Sequence, residues 1–365
     1  MIYPDSFEHK TGFDSIREMV KSRCLTTLGA VRCDEMAFSN DYAETVRKLR
    51  STAEMLSIIT GEEDLGIAAV HDVTAHLQAI KVPGTYIPAN ELYRTRTSLA
   101  AIAGIAEFFK SRRNDDGHSP YPCLDNEASG LSVFPGVIRS VDKALDRFGN
   151  VKDNASPELA RLRNAISGAL GSINSTMRRI LSQAAQSGYI EADTAPSIRD
   201  GRLVIPVAPM HKRKINGIVH DESASGKTIY IEPAEIVEAN NRIRELQMEE
   251  RHEIIRILTA IADEIRPYIP EMLATFEIVG TLDFIRAKAI FASETGGKLP
   301  TISPKPEIEW YHACHPVLLL SLRSQNKEIV PLDISLDSDH RLLIISGPNA
   351  GGKSVTLKTV GIVQY

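Results

Sequence analysis

The chain has 365 residues, 42 Lys and Arg against 47 Asp and Glu, and a net charge of −5. That length accommodates two or three domains with cores of their own, and the slight acidity excludes a polycation, so any nucleic-acid contact has to come from a local basic patch. Cys24, Cys33, Cys123 and Cys314 show no C-x-x-C pair, Met1 to Lys10 lacks the apolar core of a secretion signal, and no apolar run is membrane-long; the expectation is a soluble, cytoplasmic protein with reduced thiols and no membrane partner.

Residues 1–136 read as the first part of a helical core. Asp14 opens an amphipathic stretch with Ile16, Met19 and Val20, and Asp41 is placed to cap a helix running through Val46, Leu49, Ala53, Leu56 and Ile59 to Gly61. A further helix is expected from Asn90 to Phe109, carrying Leu92, Leu99, Ile102 and Ile105, and residues 112–120 have the composition of a loop.

Residues 137–270 change character. Ser156-Pro157-Glu158 is a helix start, with a cap residue followed by proline at the first helical position. From there Leu159, Leu162, Ile166, Leu170, Ile173, Met177, Ile180 and Ala184 alternate spacings of three and four up to Gly188, which predicts a heptad seam seeking a partner helix. The partner is expected from Ala234 to Ile265, on Ile236, Ile243, Leu246, Ile257, Ile261 and Ile265, interrupted by Glu250 and broken by Pro267. Each helix would be about 45 Å long. Between them, at about residues 200–232, the runs 202–207, 215–219 and 228–231 are β-rich, predicting a small sheet at the tip of an antiparallel helix pair. Its loops hold His211, Lys212, Arg213, Lys214 and Lys227, candidates for contact with nucleic-acid phosphates. Such contacts fix position without reading sequence and weaken as salt rises.

Helix resumes over 271–305 with Leu273, Phe276, Ile278, Val279, Leu282, Ile285 and Ala289, closing near Gly296-Gly297. From residue 306, Ile308, Ile329-Val330 and Ile334 to Leu336 predict short strands, and Leu342-Leu343-Ile344-Ile345 predicts a buried central parallel strand. Just after this run stands Gly347-Pro348-Asn349-Ala350-Gly351-Gly352-Lys353-Ser354, a complete G-x-x-x-x-G-K-[ST]. Glycines let backbone N–H groups converge on phosphate, the lysine neutralises the outer phosphates, and the hydroxyl ligates magnesium. The expected ligands are therefore ATP and Mg2+, the metal on Ser354. Two imitations fail: Gly226-Lys227-Thr228 has Asp221 where the first glycine belongs, and Gly296-Gly297-Lys298 runs into Leu299. His312, Cys314 and His315 lack a fourth ligand for zinc, and a structural role beside the nucleotide is expected. Asp337 and Asp339 read as a solvated turn. No nucleophile–base or paired-carboxylate spacing stands out, so no catalytic residue is assigned.

The loop resembles that of MutS-type ATPases, with Gly-Pro-Asn and then a glycine pair before the lysine. Ala313-Cys314-His315-Pro316 is similar to that family's Ala-Arg-His-Pro, with Cys314 replacing the arginine. Residues 217–226, Gly-Ile-Val-His-Asp-Glu-Ser-Ala-Ser-Gly, with Ile231-Glu232-Pro233 behind them, resemble specifically the second bacterial MutS branch, distinct from the mismatch-repair branch; Phe7-Glu8 lacks the spacer of a mismatch-reading Phe-x-Glu. The resemblance implies a mostly α fold: a multi-helix core (1–136 and 271–305), long antiparallel levers with a β-rich clamp tip (137–270), and the first part of an α/β P-loop, ABC-type ATPase domain (306–365). It implies a homodimer with composite ATP sites, whose clamp embraces branched or duplex DNA and suppresses recombination, or, as the alternative, engages rRNA on stalled ribosomes. ATP hydrolysis, and nuclease activity in a carboxy-terminal region, would belong to an intact parent, of which this chain would be an inactive amino-terminal fragment.

Overall fold

Local capping chemistry sets several helix starts, those of α3, α4, α9 and α12. The computed structural model describes residues 4, 6–199, 201–348 and 351–365. The elements are α1 (Phe7–Thr11), α2 (Phe13–Lys21), α3 (Thr27–Asp34), α4 (Tyr42–Thr60), α5 (Thr74–Ala79), α6 (Ala89–Ser111), α7 (Pro122–Ala128), α8 (Pro135–Ala144) and α9 (Pro157–Gln186). Next come β1 (Ser197–Arg199), β2 (Arg202–Val207), β3 (Gly217–Glu222), β4 (Ile229–Pro233), α10 (Ala234–Ile265), α11 (Ile269–Thr295), β5 (Ile308–Ala313), α12 (Pro316–Ser324), β6 (Leu332–Leu336) and α13 (Lys353–Gln364). The chain is mostly helical with small antiparallel sheets. It divides into two compact units, one of Met1–Lys81, Arg94–Ile138 and Ile265–Tyr365, the other of Val82–Tyr93 and Arg139–Glu264. No described helix is long and apolar enough to cross a membrane.

In the first unit α11 is the central rod. Its Met272, Phe276, Val279, Leu282, Ile285, Ala287 and Ala289 are all buried, the all-round burial of a helix inside a bundle. α2, α3, α4 and α7 pack on it. The expected boundaries of α4 are met by Asp41, which accepts from Glu44 N–H at 2.8 Å, and by Gly61 after the last turn.

In the second unit α9 and α10 run beside each other, joined by Arg163–Glu250 at 2.7 Å and by Arg179–Glu235. Ile236, Ile243, Leu246, Ile257, Ile261 and Ile265 are buried as their spacing predicts. The seam of α9 is not continuous, however: Leu170 is 50% exposed, and Met248 of α10 is exposed as well. Apolar spacing on one helix does not by itself bury a position; the partner helix has to cover it at that level.

Ser156 caps α9 by accepting from Leu159 N–H at 3.0 Å, while its hydroxyl donates to buried Glu253 of α10 at 2.5 Å. Two bonds from Arg256 and this hydroxyl outweigh burial and bring the Glu253 carboxyl down to about 2 from the ordinary 4.5. A folded-state value below the unfolded one stabilises above the ordinary value, and that stability is lost as pH falls from 4.5 through about 2. Glu253→Gln is therefore expected to cost about 1–2 kcal/mol at neutral pH. The difference from wild type should vanish on acidification through that window, as read by urea unfolding at each pH.

Two expectations near the carboxy-terminal end are corrected. Ile329-Val330 forms no strand; Val330 is exposed and pairing begins at Leu332, where β6 meets β5 antiparallel. Residues 342–345 form no strand either, and Leu342 and Ile344 are each 90% exposed. A central parallel strand requires hydrogen-bonding neighbours and covering helices, and no described residue pairs with this run.

Candidate nucleotide loop and nucleic-acid tip

The loop is a tight turn feeding a helix. Gly351 N–H donates to Pro348 carbonyl at 3.0 Å, and Gly352 takes φ +85°, a left-handed conformation natural to glycine, to cap α13. The first N–H groups of α13 have no partner within the helix, so they face the loop with the positive end of the helix dipole. The Lys353 ammonium folds back to donate to Gly347 carbonyl at 2.5 Å, closing the loop on itself. Ser354 is exposed in the first turn. Gly347, Pro348, Gly351, Gly352, Lys353 and Ser354 thus lie together; Asn349 and Ala350 lie outside the described residues. Donors, one ammonium and one hydroxyl around a helix start form a set that fits a polyphosphate with its magnesium.

Upstream, Asp337 accepts from the N–H groups of His340 (2.6 Å) and Asp339 (2.8 Å), which hold its carboxyl below the ordinary value. His315 is buried at the start of α12, where its Nδ1 accepts from Leu318 N–H at 3.4 Å. Burial lowers its pKa.

The tip is a four-stranded antiparallel sheet in the order β1-β2-β4-β3. Ile205, Val207, Ile229 and Ile231 pack with Ile173 and Met177 of α9 and Ile236 and Ile243 of α10. The register places Val207, the end of β2, and Glu222, the end of β3, both opposite Ile229, the start of β4. The segment leaving β2 and the hairpin joining β3 to β4 therefore emerge from the same end of the sheet. The first carries His211, Lys212, Arg213 and Lys214, the second Lys227. His211 rests against the Tyr189 ring, centroids 5.4 Å apart, and is partly buried; the other four are exposed, with no ion pair among the described residues. Two bonds close the hairpin: Ser223 N–H donates to Thr228 carbonyl at 2.8 Å, and Ser223 Oγ accepts from Thr228 N–H at 3.0 Å.

One residue whose role the sequence left open holds this tip together. Glu232 is fully buried, and its carboxylate takes Arg202 at 2.8 Å, His220 at 2.7 Å and Asn240 at 2.8 Å, tying β2, β3 and β4 to α10. Burial pushes its pKa up, but the bonds from Asn240, Arg202 and His220 outweigh that and hold it below the ordinary value. The legible signal was a glutamate inside a β-rich run, with a basic residue in each strand that pairs with it.

Comparison with known proteins finds no matching family model. It does find relatives named endonuclease MutS2. That of Geobacillus sp. (strain WCH70) is 31% identical over 97% of this chain and 44% of its own length. Those of Thermomicrobium roseum and Finegoldia magna are 33% and 32% identical, each over 96% of this chain and 44% and 43% of their own length. The chain thus spans less than half the length of these relatives. Identity near 30% along nearly the whole chain supports a MutS2-type family.

Proposed function

We propose, on the premise of MutS2-type descent, that this chain is the nucleic-acid-holding and nucleotide-binding part of an ATP-dependent clamp. The clamp would act on branched or recombination-intermediate DNA, as a homodimer in the cytoplasm, and suppress recombination. Gly347, Gly351 and Gly352, with Asn349 and Ala350 between them, supply backbone donors to the phosphates; Lys353 meets the outer phosphates and Ser354 the magnesium. α9 and α10 are the levers, and the end of the sheet bearing His211 to Lys214 and Lys227 meets the DNA backbone. ATP hydrolysis and endonuclease activity are proposed for the whole protein rather than for this chain.

The observation that carries the reading is the emergence of both basic segments from one end of the sheet on a chain whose net charge is −5. Long-range attraction cannot hold DNA to such a chain, so local cations must. The test is binding to branched DNA, linear duplex and ribosomal subunits at matched salt, for wild type and for the combined Lys212→Ala, Arg213→Ala, Lys214→Ala and Lys227→Ala variant. Wild type is expected to prefer branched DNA. The variant should lose about tenfold or more in affinity, with a shallower dependence on salt by up to about three to four in the log–log slope. Preference for ribosomal subunits would replace the DNA reading with an rRNA one, and unchanged affinity in the variant would remove the tip from the interface.

A further inference from the structure

The helix that begins at the nucleotide loop ends in a grip that the loop chemistry does not require. The Tyr365 ring, just past α13, packs against Phe7 (5.4 Å), Phe13 (4.5 Å, edge-on) and Phe38 (5.7 Å). Its hydroxyl donates to the Glu8 carboxylate, whose two oxygens each take Arg17 Nη2 at 2.8 Å. Arg17 Nη1 in turn reaches the carbonyls of Cys33 at 2.7 Å, in the last turn of α3, and of Met36 at 2.9 Å, just beyond it. Burial and the neighbouring Glu8 push Tyr365 up to about 12, so the phenol keeps its proton and remains the donor.

The carboxy-terminal half of α13 is fitted closely on the same face. A side chain at Gly361 would meet Thr11 Cγ2 at 3.1 Å, and Ile362 is buried with Ile16, Val20, Cys33 and Ala287. On their far side, the residues joining α2 to α3 are fastened to α11: Asp283 accepts from Leu25 N–H at 2.9 Å, Thr26 N–H at 2.7 Å and Thr26 Oγ1 at 2.8 Å. The helices α1 to α3 therefore form a strap, with one end on the nucleotide helix and the other on the central rod of the unit.

We infer that this strap reads the occupancy of the loop, so that a shift of α13 on nucleotide binding reaches α11 through Tyr365, Glu8, Arg17 and the α2–α3 turn. The inference rests on the nucleotide reading given above. α13 is about 18 Å long, so Glu8 and Tyr365 lie too far from the phosphates to touch them and act as positioning residues. A packed helix moves as a rigid body by about 1–2 Å between alternative seatings. A seat that holds better with nucleotide bound raises nucleotide affinity by the same factor, so weakening that seat lowers the affinity.

The test is hydrogen exchange of the full chain with and without ATP and Mg2+, together with calorimetric ATP affinity for wild type, Tyr365→Phe and Phe13→Ala. Tyr365→Phe keeps the ring stack and removes only the bond to Glu8, so it guards against a variant that simply fails to fold. Nucleotide is expected to slow exchange at 351–358 and also at 7–21, and both variants to weaken ATP binding by about three- to tenfold. Slowed exchange confined to 351–358, with ATP affinity unchanged in both variants, would overturn the inference and leave the nucleotide reading standing. Absence of calorimetric ATP binding by wild type would overturn both.

Discussion

Lys353→Ala is expected to weaken ATP binding by about 100-fold while leaving the fold intact. The ammonium is the single cation of the described loop, and among the described residues it bonds to Gly347 carbonyl. Truncating one partner of a close charge pair costs about 2–5 kcal/mol, and each 1.4 kcal/mol or so is a factor of ten. The substitution lies in the first turn of α13, away from the buried residues of that helix, Thr359 and Ile362. Surface changes of this kind shift stability by no more than about 0.5 kcal/mol. Calorimetric titration with ATP and Mg2+ reads the first effect, and the thermal unfolding midpoint checks the second.

Gly29→Ala is expected to cost about 2–3 kcal/mol of stability. A Cβ at this position would stand 2.5 Å from Asp283 Oδ2, and the aspartate has nowhere to retreat. It is fully buried and fixed by bonds from Leu25, Thr26 N–H and Thr26 Oγ1, while Thr26 Oγ1 itself accepts from Gly29 N–H at 3.0 Å. Moving the carboxylate to admit a methyl group would strand these donors in the interior, each at about 1–3 kcal/mol. Urea unfolding of the two proteins measures the difference. Equal midpoints would show that α3 can slide along α11 without cost.

These two sites differ in how they could be read from the residues. The loop stands out in the sequence because its pattern is local: eight consecutive residues carry the glycines, the lysine and the hydroxyl. The same holds for α4, bounded by Asp41 and Gly61, and for α9, opened by Ser156-Pro157, because a cap is a bond between neighbours in sequence. Gly29 gave no signal, since its partner Asp283 is 254 positions away and no periodicity links them. Leu170 misled for a related reason: its spacing describes one helix, whereas burial depends on what α10 presents opposite. Residues 342–345 misled in the same way, because an apolar run becomes a central strand only when other strands flank it. At the tip, the basic residues were found from composition, but their common placement derives from the register of β2 and β3 on β4. The Glu232 network that fixes that register joins residues from three strands and a helix.

We propose that nucleotide at the loop governs how the clamp holds DNA. The most direct test is the affinity of the chain for branched DNA, at fixed salt, with and without ATP and Mg2+, in wild type and in Lys353→Ala. Nucleotide is expected to change the wild-type affinity by about 5-fold or more, the usual scale of coupling between sites, and to leave the variant unmoved. Wild-type affinity that is the same with and without bound ATP would contradict it.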